Sequence, residues 1–269
     1  KKIWKNARKI IPGGNGLLSK RPDRYSPDNW PTYYKRAKGC RIWDLDNNCY
    51  KDLSMMGVGT NLLGYARKEV DEQVKKTIQK SNMSTFNCPE EVLLAERLTE
   101  MHPWAQQAKF ARTGGEINAM AIRIARAYSK KNKIAICGYH GWHDWYLAAN
   151  LKSKDGLKGH LLPGLSPNGI PENLKGTAIP FNYNKLDEVK KIFDSNHGKI
   201  AAIVMEPLRK SFPEKGFLEG IRKLADENGA VLIFDEVSSG FRLNTGGAHL
   251  KLNVKPDIAV FAKALSNGY

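Results

Sequence analysis

The chain has 269 residues, of which 41% are hydrophobic and 26% are charged. This composition excludes a disordered chain, and the length suits one large α/β domain with a smaller appended segment. An excess of lysine and arginine gives a net charge of +16. The basic residues are dispersed and no basic-aromatic recognition motif accompanies them, which favours solvated helix faces over nucleic-acid binding. A non-catalytic basic binding module remains an alternative from another class.

The cysteines and the apolar pattern indicate the compartment. Cys40, Cys49, Cys88 and Cys137 lack CxxC spacing, so neither a metal site nor a disulfide framework is expected. The first residues do not form a secretory signal, and no apolar stretch approaches the roughly 18 residues of a membrane span. We therefore expect a cytoplasmic protein that binds no metal and no membrane.

Two regions differ in their pattern. Residues 1–52 predict a small β-containing segment. Within it, residues 40–44 and 49–52 alternate in character on either side of a turn, which predicts a β-hairpin. Residues 53–269 show alternating helices and buried strands, which predicts one large α/β domain.

Helices and strands can be assigned within the large domain. Helical periodicity predicts helices over residues 67–80, 89–101, 116–130, 185–194 and 218–228. Apolar runs predict strands over residues 108–111, 133–137, 200–205, 230–234 and 257–261. Because such strands are buried on both faces, we expect a mostly parallel sheet flanked by helices. The stretch 151–178 is rich in Gly, Pro, Ser and Asn and predicts a loop over or beside the site.

The first predicted strand leads into a glycine-containing turn. In an open parallel sheet, ligands bind beyond the carboxyl ends of the strands, so the residues there are the candidates. Thr113, Gly114 and Gly115 follow the first strand and precede a helix. Backbone N–H groups at a helix N-terminus suit a phosphate. A tight turn with Thr113 as N-cap explains the same residues, and both interpretations stay open at this point.

The next two strands end in aromatic and titratable residues. Tyr139 and His140 follow the second strand, where an aromatic ring can stack on a flat heterocycle. His140 and His143 have no credible third metal ligand nearby, which favours structural or hydrogen-bonding roles. Glu206 follows the third strand and is either a structural acceptor or a catalytic carboxylate.

Asp235 and Lys263 follow the last two predicted strands. A carboxylate at the end of an apolar strand costs several kcal/mol unless it meets a cation, and a protonated pyridine nitrogen supplies one. Lysine is rarely buried without a reason, and its amine can form an imine with an aldehyde cofactor and then act as a general base. Taken alone, Lys263 is better explained as a lysine that snorkels from a strand end. Its combination with Asp235, the glycine turn and Tyr139 favours the interpretation that Lys263 forms an imine with an aldehyde cofactor.

Together these motifs resemble the class III pyridoxal-phosphate aminotransferases, in particular the branch that contains glutamate-1-semialdehyde 2,1-aminomutase. The matching segments are Thr113-Gly114-Gly115-Glu116, Tyr139-His140-Gly141-Trp142-His143-Asp144, Glu206-Pro207, Phe234-Asp235-Glu236-Val237-Ser238-Ser239-Gly240-Phe241-Arg242 and Phe261-Ala262-Lys263-Ala264. The early Ile11-Pro12-Gly13-Gly14 and Asp44-Leu45-Asp46-Asn47 extend the match over nearly the whole chain.

The resemblance implies an aspartate-aminotransferase-like fold, which is that of the fold type I PLP enzymes, with residues 53–269 as the PLP-binding domain. It implies pyridoxal 5'-phosphate as cofactor and a homodimer as the active form. It also implies transfer of an amino group between an amino donor and a small carbonyl acceptor, with an aminomutase as the alternative.

The resemblance also assigns roles to single residues. Lys263 is the expected Schiff-base lysine and Asp235 the partner of the pyridine nitrogen, and these two are the expected catalytic residues. Val237 is expected against the ring and Tyr139 stacked over it. The remaining expected cofactor-binding residues are Thr113, Gly114, Gly115, His140 and Glu206.

The sequence departs from the family pattern in three places. Gly115 stands where the family usually has Thr or Ser, which removes a hydroxyl donor. By simple register, Lys20 stands where the aminomutase has an arginine for the substrate carboxylate, and a point charge does not reproduce a bidentate guanidinium. Family members also continue beyond the position of Tyr269, so we expect a carboxyl-terminal domain outside residues 1–269 and no activity from these residues alone.

Overall fold

The computed structural model describes residues 1–27, 29–53, 56–81, 83–152, 156–160 and 166–269. It divides into two compact units. The first unit contains residues 1–87 and 266–269, and the second contains residues 88–265. The sequence pattern changes earlier, near residue 52, and a domain boundary between residues 52 and 53 stays a prediction.

The first unit contains a small antiparallel sheet with the strand order β1-β2-β3. Its elements are α1 (Lys2–Ile10), β1 (Tyr34–Lys38), β2 (Arg41–Asp44), β3 (Cys49–Lys51), α2 (Met56–Gly59) and α3 (Lys68–Gln79). The predicted hairpin is confirmed as β2 and β3, with Ile42 opposite Tyr50. The Asp44 carboxylate closes the turn by accepting the backbone N–H groups of Asp46 and Asn48.

The second unit is an α/β domain. Its helices are α4 (Pro89–Met101), α5 (Gly114–Ser129), α6 (Asp144–Leu147), α7 (Ala149–Lys152), α8 (Leu186–Ser195), α9 (Phe217–Glu227) and α10 (Ala248–Leu252). Its strands are β4 (Lys133–Cys137), β5 (Ala178–Pro180), β6 (Ile200–Met205), β7 (Val231–Asp235) and β8 (Ile258–Val260). They form one sheet with the order β5-β4-β6-β7-β8, and every neighbouring pair is parallel.

Side chains of the buried strands alternate between two apolar clusters, because successive residues of a strand point to opposite faces of the sheet. On β7, Val231 and Ile233 join the cluster that contains α5, whereas Leu232 and Phe234 join the cluster that contains α8 and α9. The same period of two places Asp235, the last residue of β7, on the face of the sheet that packs against α5. Helix α5 therefore can reach this carboxylate.

The pattern predicted most of these elements. The five predicted helices are confirmed as α3, α4, α5, α8 and α9, with ends that differ by two residues or fewer. The strands predicted over residues 133–137 and 200–205 are confirmed with the same bounds. Pro89 begins α4, and Gly229 lies just past α9 with a φ of +55°, a left-handed conformation that glycine adopts without steric cost.

The strand predicted over residues 108–111 is wrong. The burial of these residues alternates as in a strand, with Ala108 and Phe110 more enclosed than Lys109 and Ala111. A strand also needs a backbone partner. Within the described residues, β8 pairs with β7 on one side only, and residues 108–111 pair with no strand. The burial of these residues therefore resembles that of a strand, but the ladder that would define a strand is not formed.

The stretch 151–178 was predicted as a loop over or beside the site. Residues 153–155 and 161–165 of it lie outside the described residues. The described remainder is largely irregular and contains a short 3₁₀ turn at Glu172–Leu174. It ends at Ala178, where β5 begins and pairs with β4. The edge strand β5 was not predicted, because three residues are too few to show a period.

Within the described ranges, no helix is both long enough and apolar enough to cross a membrane.

Helix α5 offers a matched test of the core, because it carries one isoleucine inside and one outside. Ile122 is 2% exposed and packs in the cluster against the sheet, whereas Ile124 is 49% exposed. We expect Ile122→Ala to lower the free energy of unfolding by about 2–5 kcal/mol through the cavity that it leaves. Ile124→Ala should change it little. Urea unfolding monitored by circular dichroism measures both, and equal losses would contradict this packing.

Candidate active site

The carboxyl ends of the parallel strands bring together side chains that are distant in the sequence. Tyr139 and His140 follow β4, Glu206 follows β6, Asp235 ends β7, and Lys263 lies three residues after the end of β8. All belong to the second unit. The expectation that functional groups collect at this edge of the sheet agrees with their positions.

The Asp235 carboxylate is 3% exposed and is held by three N–H groups. Its Oδ2 accepts Nδ1–H of His140 at 2.7 Å and an Nδ2–H of Asn118 at 2.9 Å. Its Oδ1 accepts the backbone N–H of Val237 at 3.0 Å. A buried carboxylate is costly unless it is hydrogen-bonded, and these bonds offset part of that cost. They leave acceptor capacity on Oδ1, because a carboxylate oxygen can accept two hydrogen bonds.

The neighbouring Glu236 differs from Asp235 because all of its hydrogen-bond acceptor positions are occupied by protein donors. It is fully buried, and its Oε1 accepts the backbone N–H of His249 at 3.0 Å and the Nδ1–H of the same residue. Its Oε2 accepts the backbone N–H of Ala248 and the hydroxyl of Ser239. Glu236 therefore holds the turn that begins α10 and has no acceptor left for a ligand. Of the two adjacent carboxylates, Asp235 is the one available for binding.

The Lys263 amine lies half-buried and donates to the Ser238 hydroxyl at 2.7 Å. Burial lowers the pKa of Lys263, and Arg242 acts in the same direction, while Asp235 and Glu206 oppose the shift. The backbone of Lys263 has a φ of +49°. A non-glycine residue in this left-handed region stores strain on the order of 1–3 kcal/mol, and such residues cluster at functional sites.

The predicted phosphate turn forms the first turn of α5. Thr113 is the N-cap, and its hydroxyl accepts the backbone N–H of Glu116 at 3.2 Å, while the Glu116 carboxylate accepts the backbone N–H of Thr113. This capping box satisfies two backbone donors. It leaves the N–H groups of Gly114 and Gly115 at the positive end of the helix dipole. The N-cap interpretation is confirmed, and phosphate binding stays a prediction.

The backbone is closely packed at Gly115, where the sequence pattern led us to expect Thr or Ser. A Cβ at Gly115 would lie 3.0 Å from two ring atoms of His143, and a Cβ at Gly141 would lie 2.9 Å from the Cα of Gly115. The loop after β4 therefore passes directly over the start of α5. A threonine or serine at position 115 would require the His143 ring to move.

Glu206 belongs to a polar cluster with Arg209 and His160. The Arg209 guanidinium pairs with Glu206 at 3.0 Å and donates to Nδ1 of His160 at 3.2 Å. The backbone N–H of Gly138 also donates to this nitrogen. Burial raises the pKa of Glu206, while His140 and Arg209 oppose the shift. The cluster joins the ends of β4 and β6 to the loop at residue 160.

Tyr139 lies two residues after the end of β4, and Val237 lies two residues after Asp235, the last residue of β7. The Tyr139 side chain is 36% exposed and makes an edge-to-face contact with Tyr146 at 6.2 Å. Burial raises the pKa of Tyr139, and the Asp235 charge adds to the shift. Val237 is half-buried, and a Cβ at Gly114 would touch it at 3.4 Å. Their expected contacts with a cofactor ring stay predictions.

The sequence analysis missed three residues that contact the predicted ones, namely Asn118, Ser238 and Arg209. Asn118 had a signal, because it is a polar residue on the apolar face of α5 that also carries Ala121, Ile122 and Ala125. Ser238 lies inside a recognised motif without an assigned role. Arg209 had no signal beyond its place shortly after β6.

Lys20 lies in the first unit, where it lines a cavity of about 730 Å³. Aromatic side chains form much of the wall, including Tyr25 and Trp30, whose rings stack at 4.3 Å. Asp52 also lines it and accepts the hydroxyl of Tyr65 at 2.6 Å. The role of Lys20 toward a substrate carboxylate stays a prediction.

Known proteins are similar to this chain in sequence and in fold. The family described as aminotransferase class-III matches residues 24–269. The 3-aminobutyryl-CoA aminotransferase of Cloacimonas acidaminovorans (strain Evry) is 34% identical, and the match covers 99% of this chain and 62% of the relative. A glutamate-1-semialdehyde 2,1-aminomutase of Syntrophobacter fumaroxidans is 37% identical, with coverages of 99% and 61%.

A solved structure of the FumI protein of Sphingopyxis sp. MTA144, in its PLP internal aldimine form, has a TM-score of 0.85 and 28% identity to this chain. The match covers all of this chain and 62% of FumI. The chain belongs to the class III aminotransferase family, which is PLP-dependent, and has the expected aspartate-aminotransferase-like α/β fold. It spans about three-fifths of the length of the relatives that it matches.

His160 predicts how stability depends on pH. Burial lowers the pKa of His160 from 6.5 to about 4, and Arg209 acts in the same direction. As the pH falls through this window the unfolded chain binds a proton before the folded chain does, so the folded state loses stability. We expect the wild-type free energy of unfolding to be retained above pH 6.5 and to decrease toward pH 4.

Urea unfolding at a series of pH values measures this loss. His160→Gln keeps an acceptor for Gly138 and removes the titrating group, so its decrease over the same window should be smaller than that of the wild type. His197→Gln, at an exposed position, is the matched control and should keep the wild-type decrease. The assignment to His160 would be contradicted by identical curves for the wild type and His160→Gln.

Proposed function

We propose that this protein is a PLP-dependent aminotransferase that moves an amino group from an amino donor to a small carbonyl acceptor, with Lys263 as its Schiff-base lysine. One observation carries the proposal. A lysine amine with a lowered pKa and a buried, oriented carboxylate lie at the same edge of one parallel sheet. Membership of the class III aminotransferase family supports it.

The residues at this edge fit pyridoxal 5'-phosphate at three separate points. Asp235 offers a buried carboxylate with acceptor capacity on Oδ1, which suits a protonated ring nitrogen. The start of α5, with Gly114 and Gly115, offers backbone N–H groups for a phosphate. Lys263 offers an amine for the aldehyde. Tyr139 and Val237 have the apolar surface that the two faces of the ring require.

Each of these residues has a distinct task in amino transfer. When bound, the cofactor supplies an electron sink that stabilises a carbanion at the substrate carbon. The Lys263 amine takes and returns the proton at that carbon, and a lowered pKa makes its neutral, proton-accepting form more abundant near neutral pH. The Ser238 hydroxyl orients this amine through their hydrogen bond. Asp235 keeps a proton on the ring nitrogen by stabilising the cation.

Glu206 and His140 support this arrangement as positioning residues. His140 donates to Asp235 and fixes the direction of its carboxylate. Glu206 lies close enough to Lys263 to oppose the lowering of its pKa, and Arg209 balances the Glu206 charge. The pair thus tunes how readily the Lys263 amine gives up its proton.

An aminomutase is the second candidate, because a glutamate-1-semialdehyde 2,1-aminomutase is among the relatives at 37% identity. Such an enzyme keeps the amino group on one substrate. Lys20 in place of arginine argues against the same substrate carboxylate contact, because the ammonium group cannot form a bidentate pair. We therefore place the aminotransferase first.

The assembly and the compartment are also proposals. Several large apolar side chains of the second unit are exposed, among them Val92 at 59%, Leu93 at 62% and Trp142 at 63%. A homodimer would bury surface of this kind. We propose a cytoplasmic location, because Cys40, Cys49 and Cys88 are exposed free thiols, which a reducing compartment preserves.

The substitution Lys263→Ala tests the proposed reaction in the full-length protein. Removing the amine should slow the half-reaction with an amino donor by about 10²- to 10⁴-fold, the usual contribution of a positioned general base. The measurement is the change of the cofactor absorbance after mixing with a series of amino acids, together with the amount of keto product released. Lys251→Ala, at an exposed position on α10, is the control and should react as the wild type does.

The same measurement separates the two candidates. An aminotransferase releases one keto product for each cofactor molecule that is aminated. Conversion of a substrate into its isomer without any released keto product would favour the aminomutase. If the full-length protein binds PLP and Lys263→Ala reacts at the wild-type rate, Lys263 is not the residue that carries the reaction.

A further inference from the structure

Asn118 is the residue of α5 that touches both predicted binding points for the cofactor. It lies one helical turn after Gly114, on the face of α5 that packs against the sheet, and is 2% exposed. One of its Nδ2 hydrogens goes to the carbonyl oxygen of Gly114 at 2.9 Å, and the other goes to Oδ2 of Asp235 at 2.9 Å. A single side-chain amide therefore connects the glycine turn to the carboxylate at the end of β7.

The two acceptors determine how this amide is oriented. Carboxylate and carbonyl oxygens accept hydrogen bonds and cannot donate them, so both demand the NH₂ group of Asn118. The opposite orientation would direct Oδ1 at two oxygen atoms. In the observed orientation Oδ1 is buried without a hydrogen-bond partner in the described part of the chain. An unsatisfied buried acceptor costs free energy, so the two donated bonds outweigh that cost.

Asn118 and His140 together decide which oxygen of Asp235 is available. Both donate to Oδ2, and these two bonds fill its acceptor capacity. Oδ1 accepts only the Val237 backbone N–H among the described contacts. Without the Asn118 amide the plane of the carboxylate could tilt about its Cβ–Cγ bond, which would change the direction in which Oδ1 offers its remaining acceptor position.

We propose that Asn118 is a positioning residue that fixes Asp235 with Oδ1 toward the ring nitrogen of the cofactor, while it ties this carboxylate to the glycine turn that would bind the phosphate. The inference deepens the proposed function and rests on it. Asn118 itself contacts neither the reacting atoms nor the Lys263 amine, so its effect is on binding of the ring nitrogen through Asp235.

The test measures binding of pyridoxamine 5'-phosphate to the full-length protein, because this ligand carries the ring nitrogen and the phosphate but forms no bond with Lys263. A second ligand is its analogue in which carbon replaces the ring nitrogen. Dissociation constants come from quenching of tryptophan fluorescence. Asn118→Leu removes the donors and keeps an apolar side chain of similar size on the buried face of α5.

We expect Asn118→Leu to weaken binding of pyridoxamine 5'-phosphate by about 10- to 100-fold, the usual range for losing a hydrogen bond to a charged group. Binding of the carbon analogue should be unchanged, because Asp235 has no cation to meet in that ligand. Asn150→Leu is the matched control. Asn150 is a buried asparagine of α7 that bonds the backbone N–H of Leu157, and its substitution should affect neither ligand.

Four other outcomes are distinguishable. If Asn118→Leu binds pyridoxamine 5'-phosphate as the wild type does, the inference is overturned. It is also overturned if binding of both ligands falls equally, because that pattern indicates a general structural role. If Asn118→Leu does not fold, as judged by circular dichroism, Asn118→Ala repeats the comparison. A wild-type protein that binds neither ligand would instead overturn the proposed function.

Discussion

The buried carboxylate of Asp235 is the constraint on which the arrangement of the site depends. An ionised group in the interior is stable only where hydrogen bonds and a nearby cation replace the water that it has lost. Strand β7 places Asp235 on the α5 face of the sheet, where Asn118 reaches it, and the loop after β4 brings His140 to the same oxygen. Because the loop after β4 and helix α5 both reach Asp235, the loop passes close to Gly115 at the start of α5.

The same carboxylate links two parts of the chemistry. Burial lowers the pKa of Lys263, and the charges of Asp235 and Glu206 both oppose this shift. The remaining acceptor position of Asp235 suits the cation that a PLP ring nitrogen would provide. Glu236, adjacent in the sequence, has no such capacity because its four hydrogen bonds hold the turn before α10. Of these two adjacent carboxylates, Asp235 is available to bind a ligand, whereas Glu236 stabilises the fold.

Much of the fold could be predicted from the sequence, because apolar runs and helical periods are local. The bounds of β4, β6 and α4 needed only the pattern of their own residues. The strand expected over residues 108–111 was wrong because a strand depends on a partner, which no local pattern contains. The short strand β5 was missed because three residues show no period, and it is defined by its pairing with β4.

Some residues of the candidate site could likewise be found from the sequence, and others could not. Asp235 and Lys263 could be found because charged residues directly after buried strands are unusual. Ser238 and Arg209 could not, because their importance arises from side-chain contacts that no local pattern shows. Asn118 had a signal in its polar character on the apolar face of α5, but its partner Asp235 follows 117 positions later in the chain. The N-cap role of Thr113 was one of two interpretations, and the capping box decided for it without excluding phosphate at the same turn.

The central claim is that Lys263 holds the cofactor, and chemical trapping tests it most directly. Borohydride reduces an imine between PLP and a lysine to a stable amine, and peptide mass spectrometry then identifies the modified residue. The account predicts that the PLP-loaded full-length protein carries the reduced adduct on Lys263. An adduct on another lysine alone, or PLP that binds without any adduct, would contradict it.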